Sequence, residues 1–339
     1  MMLLDWTGSR SIGRFVLFGA LAWVHAAAAG ESPTIAGQPI FPADHIWNTP
    51  VDQLPLDSQS AVYVATIGAE ATVHPDFGSG LYNGGPIGIP YLVVEAGQPT
   101  VPVSFEYDDE SDPGPYPIPS DAPIEGGHAA DGDRHVLVLD RGSGLLYELF
   151  AAFPQGGGES WSAGSGAIFD LNGYALRPAG WTSADAAGLP ILPGLVRYDE
   201  VAAGEIRHAL RFTAPQTRRD WVWPARHFAS DLTGPEYPPM GQRFRLRWDF
   251  DESGFAPECQ VILRALKRYG MILADNGSAW FISGAPDERW DNTALRQLRQ
   301  IPGREFEAVD CSGLMLAEDS AQALQPQTGL SADRMDRYR

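Results

Sequence analysis

The sequence predicts a mainly β protein, an antiparallel β-sandwich or jelly-roll with a few short helices inserted. Three observations carry that expectation. Short runs alternate apolar and polar residues with period two, the mark of half-buried strands. Turn-forming residues interrupt them constantly, with 37 glycines and 28 prolines in 339 residues. Helical periodicity is confined to a few brief segments, so a sheet-on-sheet core is the simplest arrangement that buries the strands.

The elements follow in chain order. Arg10 and Arg14 precede an apolar run from Phe15 to Ala29 that ends in small residues. That order of basic region, apolar core and small-residue site reads as a secretory signal peptide over 1–29, with a retained membrane anchor as the alternative. A linker over 30–40 leads into a single large β-rich domain over 41–319, with two interlocked subdomains as the alternative. Asp57 is placed to start a short helix that Gly68 stops. In "TVPVSFEYDD", Val101, Val103, Phe105 and Tyr107 share one face of a strand. "RHVLVLD" is apolar on both faces and should be central. "LLYELFAAF" follows the turn Arg141 to Gly144, making 134–153 a hairpin. "GEIRHALRFT" sets Ile206, His208, Leu210 and Phe212 opposite Arg207, Ala209 and Arg211. "RFRLRWDF" alternates Phe244, Leu246, Trp248 and Phe250 with three arginines and Asp249. "PECQVILRALKRYG" has Pro257 near its start and Gly270 at its end, as a helix should. "DNTALRQLRQIPG" is a second helix stopped by Pro302-Gly303. The polar residues 320–339 read as a disordered tail.

Composition excludes several classes of function. A formal net charge of -19 repels phosphate backbones and anionic lipid, so nucleic acid is not the expected partner. No stretch after the signal peptide is apolar enough to cross a bilayer, which places the mature protein outside the cytoplasm, secreted or periplasmic. G-x-S-x-G, H-E-x-x-H, P-loop, G-x-G-x-x-G and C-x-x-C motifs are all missing from the sequence. Cys259 and Cys311 have no zinc-binding spacing; in an exported chain they are candidates for one disulfide.

What remains is acid, histidine and tryptophan on an exported β scaffold, the usual equipment for handling polysaccharide. The segment from Glu106 to Asp133 carries nine acids and ends on Arg134. Its Pro and Gly content makes it an irregular loop. Asp108, Asp109, Glu110 and Asp112 are candidate calcium ligands, since hard cations need clustered oxygens; no other cofactor is implied. Glu125 is the best catalytic candidate in the loop, because Gly126-Gly127 let another chain approach closely. His135 and His208 sit on inward strand faces, where a carboxylate neighbour would tune them as acid or base. "RPAGWTSADAAGLPILPG" sets Asp185 among small residues with too little bulk for a core, between Trp181 and two stiffening prolines. Asp185 is therefore a candidate catalytic carboxylate, or a simple helix cap. "RRDWVWPARH" offers Trp223 for stacking and Arg226 for an anionic group. Asp275 occupies the turn expected in "ADNGSAWF".

The phrases "APIEGG", "GDRHVLVLD", "GWTSADAAGLPILPGLVRYDEV", "RHALRFT" and "RYGMILADNGSAWFISGAPDERW" resemble those of a family of exported bacterial proteins, over about Phe41 to Asp310. That resemblance implies no residue roles, because no secure activity is attached to the family.

Three functions are consistent with the residues. The first is a glycoside hydrolase with Asp185 and Glu125 as its carboxyl pair, Asp275 as substitute, His208 and His135 orienting them, and Trp181 and Trp223 holding sugar. The second is a polysaccharide lyase, with His208 or Tyr198 as base and Arg226 or calcium neutralising a uronate. The third is a carbohydrate-binding or cell-surface protein without catalysis.

Overall fold

The computed structural model describes residues 31–325. The expected signal peptide over 1–29 and the last fourteen residues of the expected tail lie outside them.

The protein is mainly β and sandwich-like, built on two principal sheets that share one apolar core. The first has four strands in the order Ser165–Asp170, Leu145–Phe150, Val136–Asp140, Tyr91–Val94. The second has six, in the order Phe306–Val309, Arg243–Leu246, Met271–Asn276, Leu210–Ala214, Phe281–Ser283, His74–Asp76. Pairing is mixed rather than purely antiparallel. Tyr91–Val94 runs parallel to Val136–Asp140, Leu210–Ala214 to Met271–Asn276, and Phe281–Ser283 to His74–Asp76. Parallel neighbours need long crossovers, and the helix Pro257–Arg268 lies within one.

Val136–Asp140 is internal and buried on both faces, as its unbroken apolar sequence dictates. Leu137 and Leu139 face the core shared by the two sheets. Val136 and Val138 face a smaller cluster made with Tyr116, Ile118 and Ile124. Apolar residues of the acidic loop thus roof the second face of this sheet. One sheet serving two cores is what remains of the two-subdomain alternative.

Several local expectations are corrected. The segment 30–40 is not a free linker: Thr34–Ile35 pairs with Gln38–Pro39, and Ile35 and Ile40 are buried. Residues 320–325 are not a tail, since Ala321 and Ala323 are buried and Gln322 bridges to His45. Arg243–Leu246 ends before Trp248, which is 76% exposed, because Arg247 turns back onto Asp249. A helix over Tyr198–Ala203 was not foreseen; Gly204 ends it in the left-handed region. The helix Pro257–Arg268 starts on Pro257 as expected, and the next helical segment splits into Asn292–Leu295 and a 3-10 stretch, Arg296–Gln300.

Cys259 and Cys311 are both free. The Cys259 thiol is buried against the Ala294 carbonyl at 3.1 Å, and burial pushes it up to about 12 and Cys311 up to about 11. Neither is a reactive thiolate at neutral pH. The unfolded protein will therefore titrate two thiols without reductant, and a reducing agent will leave the melting temperature unchanged. A thiol count of zero in denaturant would establish the disulfide instead.

Candidate active site

The site begins with a bulge. In the pair Leu210–Ala214 and Met271–Asn276, Arg211 lies opposite Ile272 and Phe212 opposite Leu273, but Thr213 lies opposite Asp275. The extra residue is Ala274, and it rotates Asp275 onto the face that carries Arg211. Ser283 and Asp76, paired across the sheet edge, lie on the same face. Asp275 is thus a strand residue rather than the turn residue expected from "ADNG".

Arg211 is buried and fully engaged. Its Nε and Nη2 donate to Asp185 at 2.8 and 3.0 Å, its Nη1 donates to Ser283 Oγ at 2.6 Å, and Nη2 also reaches Asp275 Oδ2 at 3.2 Å. One cation thus serves two carboxylates, and the shares are unequal. Asp185 has a bidentate contact and no exposed side-chain surface; Asp275 has one long bond and is 23% exposed. Burial and the neighbouring Asp185 charge push Asp275 up to about 7.

The loop that carries Asp185 is bolted between the sheets. His135 Nε2 meets the Ala184 carbonyl at 3.0 Å, Ser165 Oγ donates to the Ser183 carbonyl at 2.6 Å, and Glu148 accepts the backbone N–H groups of Ile191 and Leu192. Glu148 points from its strand into the space between the sheets, where burial pushes it up to about 7. The small residues Ala184 and Ala187 are core after all, correcting the reading of this segment as too slight for packing. Gly188 is left-handed, and a side chain there would meet the Trp181 carbonyl at 2.6 Å. Asp185 caps no helix, and its side chain has no exposed surface. It is the buried counter-ion that positions Arg211.

Glu125 and His135 form the second half. The Glu125 N–H donates to the His135 carbonyl, and the two side chains meet at 2.6 Å through Nδ1. Burial opposes charge on the ring, but Glu125 outweighs it and raises His135 to about 9. His135 in turn holds Glu125 below its ordinary range despite burial. Glu125 is 25% exposed and Asp275 23%, so each carboxyl group keeps an edge open to solvent. Asp76, raised by burial and by the Glu125 charge, stands beside it. The chain that approaches Gly126-Gly127 is the tip of a small hairpin, Leu81–Tyr82 with Gly85–Pro86. A side chain on Gly85 would lie 2.0 Å from the Gly126 carbonyl oxygen.

The other expected residues are elsewhere. His208 is buried between Glu200 at 3.0 Å and the Ala209 carbonyl at 2.8 Å, and it lies before its strand rather than on it. Tyr198 packs on Trp290 and under Arg289. Arg226 is buried, donating to the carbonyls of Arg177 and Glu318 and to Asp319. Trp223 donates to the Ser320 carbonyl and lines a separate cavity of about 360 Å³. Trp181 lies beside Arg177. These residues hold the chain together, and of them Trp223 and Arg226 share the lining of that cavity.

Asp108, Asp109, Glu110 and Asp112 do not converge. Asp112 is spent on Arg177 and the Ile168 N–H, and Glu110 on the Thr182 N–H. Among the described residues the group able to hold a cation is Glu125, Asp133 and His135, whose ligand atoms lie within 4.8 Å of one another. Arg211, Asp76, Asp133 and Glu148 escaped sequence reading. Only the shared strand face of Arg211 could have flagged one of them.

No family model matches this chain, no curated protein matches its sequence, and no solved structure matches its fold.

Removing Arg211 leaves Asp185 buried without a partner, so Arg211→Ala will cost about 3–5 kcal/mol in unfolding free energy. Denaturant melts check this, with Arg211→Lys recovering part of the loss. The ion pair has its own pH signature. With its pKa raised, His135 contributes fully below 6.5, and that contribution is lost as pH rises through about 9. Glu125, depressed, contributes above 4.5 and loses its contribution as pH falls through its folded value. His135→Gln will flatten the fall in melting temperature between pH 6.5 and 9.

Proposed function

We propose that this protein is an exported glycoside hydrolase whose carboxyl pair is Asp275 and Glu125. The observation that supports this most directly is that two partly exposed carboxyl groups near one buried arginine are shifted in opposite directions, Asp275 raised by burial and Glu125 lowered by His135. Glycoside hydrolysis needs that pairing: an acid to protonate the departing oxygen and a carboxylate to engage the anomeric carbon or activate water. Asp275, protonated up to about pH 7, donates its proton to the glycosidic oxygen as the bond to carbon breaks. Glu125, ionised and fixed by His135, supplies the electron pair directly or removes a proton from the attacking water. Arg211 then stabilises Asp275 as it becomes anionic. The signal-like order of residues 10–29 supports export.

The test is a screen of the purified protein on a polysaccharide panel, reading reducing ends and ultraviolet absorbance together. Reducing ends without new absorbance are expected. Asp275→Asn and Glu125→Gln should each lower kcat by about 10²–10⁴; the first should retain the melting temperature, and the second should lower it because buried His135 loses its ion-pair partner. The rate should fall on the alkaline side with a midpoint near pH 7, as Asp275 loses its proton. An ultraviolet-absorbing product would mean a lyase, and a flat profile from pH 5 to 9 would remove Asp275 as the acid.

A second reading rests on the convergence of Glu125, Asp133 and His135. His135 Nε2 is committed to the Ala184 carbonyl, which leaves Nδ1 toward the carboxylates, as in metal-bound histidines. One imidazole and two carboxylates suit manganese, iron(II) or zinc better than calcium. Loss of activity on chelation, restored by one of these ions, would favour metal-assisted hydrolysis; indifference to chelator favours the carboxyl pair.

A further inference from the structure

A cavity of about 520 Å³ opens at the edge of the six-stranded sheet, and Asp76 belongs to both the cavity and the carboxyl cluster. Its far wall holds Arg296 and Arg299, on the 3-10 stretch after the last short helix. Neither forms an ion pair among the described residues. Arg299 donates to His74 Nε2 at 3.1 Å and Arg296 to Thr293 Oγ1 at 2.9 Å. In a chain of net charge -19, two adjacent guanidinium groups without carboxylate partners are an unmet demand for an anion. The floor is aromatic: His74 stacks on Phe281 with ring centroids 4.0 Å apart. Tyr82, 72% exposed, stands at the wall on the hairpin whose tip rests on Gly126-Gly127 beside Glu125.

We propose that this cavity is a subsite for a sugar unit carrying a carboxylate or sulfate, so that the substrate is an anionic glycan. The proposal rests on the glycosidase reading for its link to cleavage, though not for binding itself. The cavity is large enough for a sugar ring and small enough to surround it. Planar guanidinium groups match carboxylate and sulfate oxygens in pairs, and aromatic faces take the apolar side of the ring. The acidity of the whole protein, which argues against a polyanionic ligand at long range, is reversed locally at this wall.

The experiment is calorimetric titration of the Asp275→Asn protein, which binds without turnover, with three probes. These are a tetragalacturonate, a sulfated galactose tetrasaccharide and neutral galactotetraose. At least one anionic probe should bind about tenfold or more tighter than the neutral one, and its affinity should fall as salt is raised. Arg296→Ala/Arg299→Ala should bring it down to the neutral level, with the melting temperature unchanged because both side chains are exposed. Tyr82→Ala should weaken all probes that bind. Preference for the carboxylate or for the sulfate identifies the anion. Equal binding of all three probes, or an arginine double variant with unchanged preference, overturns the subsite. Anion-selective binding by a protein that cleaves nothing on the polysaccharide panel would keep the subsite and remove the glycosidase reading. Cleavage of neutral glycans without anion preference would do the reverse.

Discussion

The bidentate contact between Arg211 and Asp185 is the constraint on which the rest of this structure depends. It joins a central strand of the six-stranded sheet to a loop that the four-stranded sheet holds from the other side. Two charges buried this deeply are tolerable only as a pair with their remaining hydrogen-bonding capacity met, and Ser283 and the Ala186 N–H meet it. Because Asp185 takes the better share of the guanidinium, Asp275 is left with a partial partner and a nearby negative charge. Its reluctance to ionise follows first from burial and then from the Asp185 charge, so a structural ion pair helps set the chemistry of its neighbour.

The surroundings of Glu125 are shaped by where the backbone may come close. Gly126 and Gly127 both take positive φ, and the hairpin tip at Gly84-Gly85 rests on them without side chains between. That contact fixes Glu125 on one side and the Tyr82 hairpin on the other. The rigid loop around Asp185 acts in the same way from below. Carboxyl groups carried by loops are usually imprecise; here each loop is tied at several points to a sheet.

How much was legible follows from how local each signal is. The hairpin of Val136–Asp140 and Leu145–Phe150 and the helix from Pro257 depend on neighbours in sequence, and they stood out. Glu125 was found because its glycines are adjacent, and His135 because period two turned it inward. Asp185 stood out as a carboxylate among small residues, but the arginine that holds it lies 26 residues away and could not be read locally. His208, Arg226, Trp223 and Tyr198 carry chemically capable side chains; Glu200, backbone carbonyls and Arg289 occupy them. Residue type shows what a side chain can do, whereas its partners decide what it does.

The sequence by itself determined a mainly β chain, acidic overall, with period-two strands, capped short helices and glycines at the turns. Those properties rest on backbone sterics and on hydrophobic alternation, which act over a few residues. Only the tertiary structure decided that the sheets are mixed, that the cysteines stay apart, and that Asp275 rather than Asp185 keeps an exposed edge. A one-residue bulge at Ala274 and a guanidinium shared across the sheet made that choice. Neither leaves a trace in local pattern, because burial and charge pairing are settled between segments that meet only after the chain has folded.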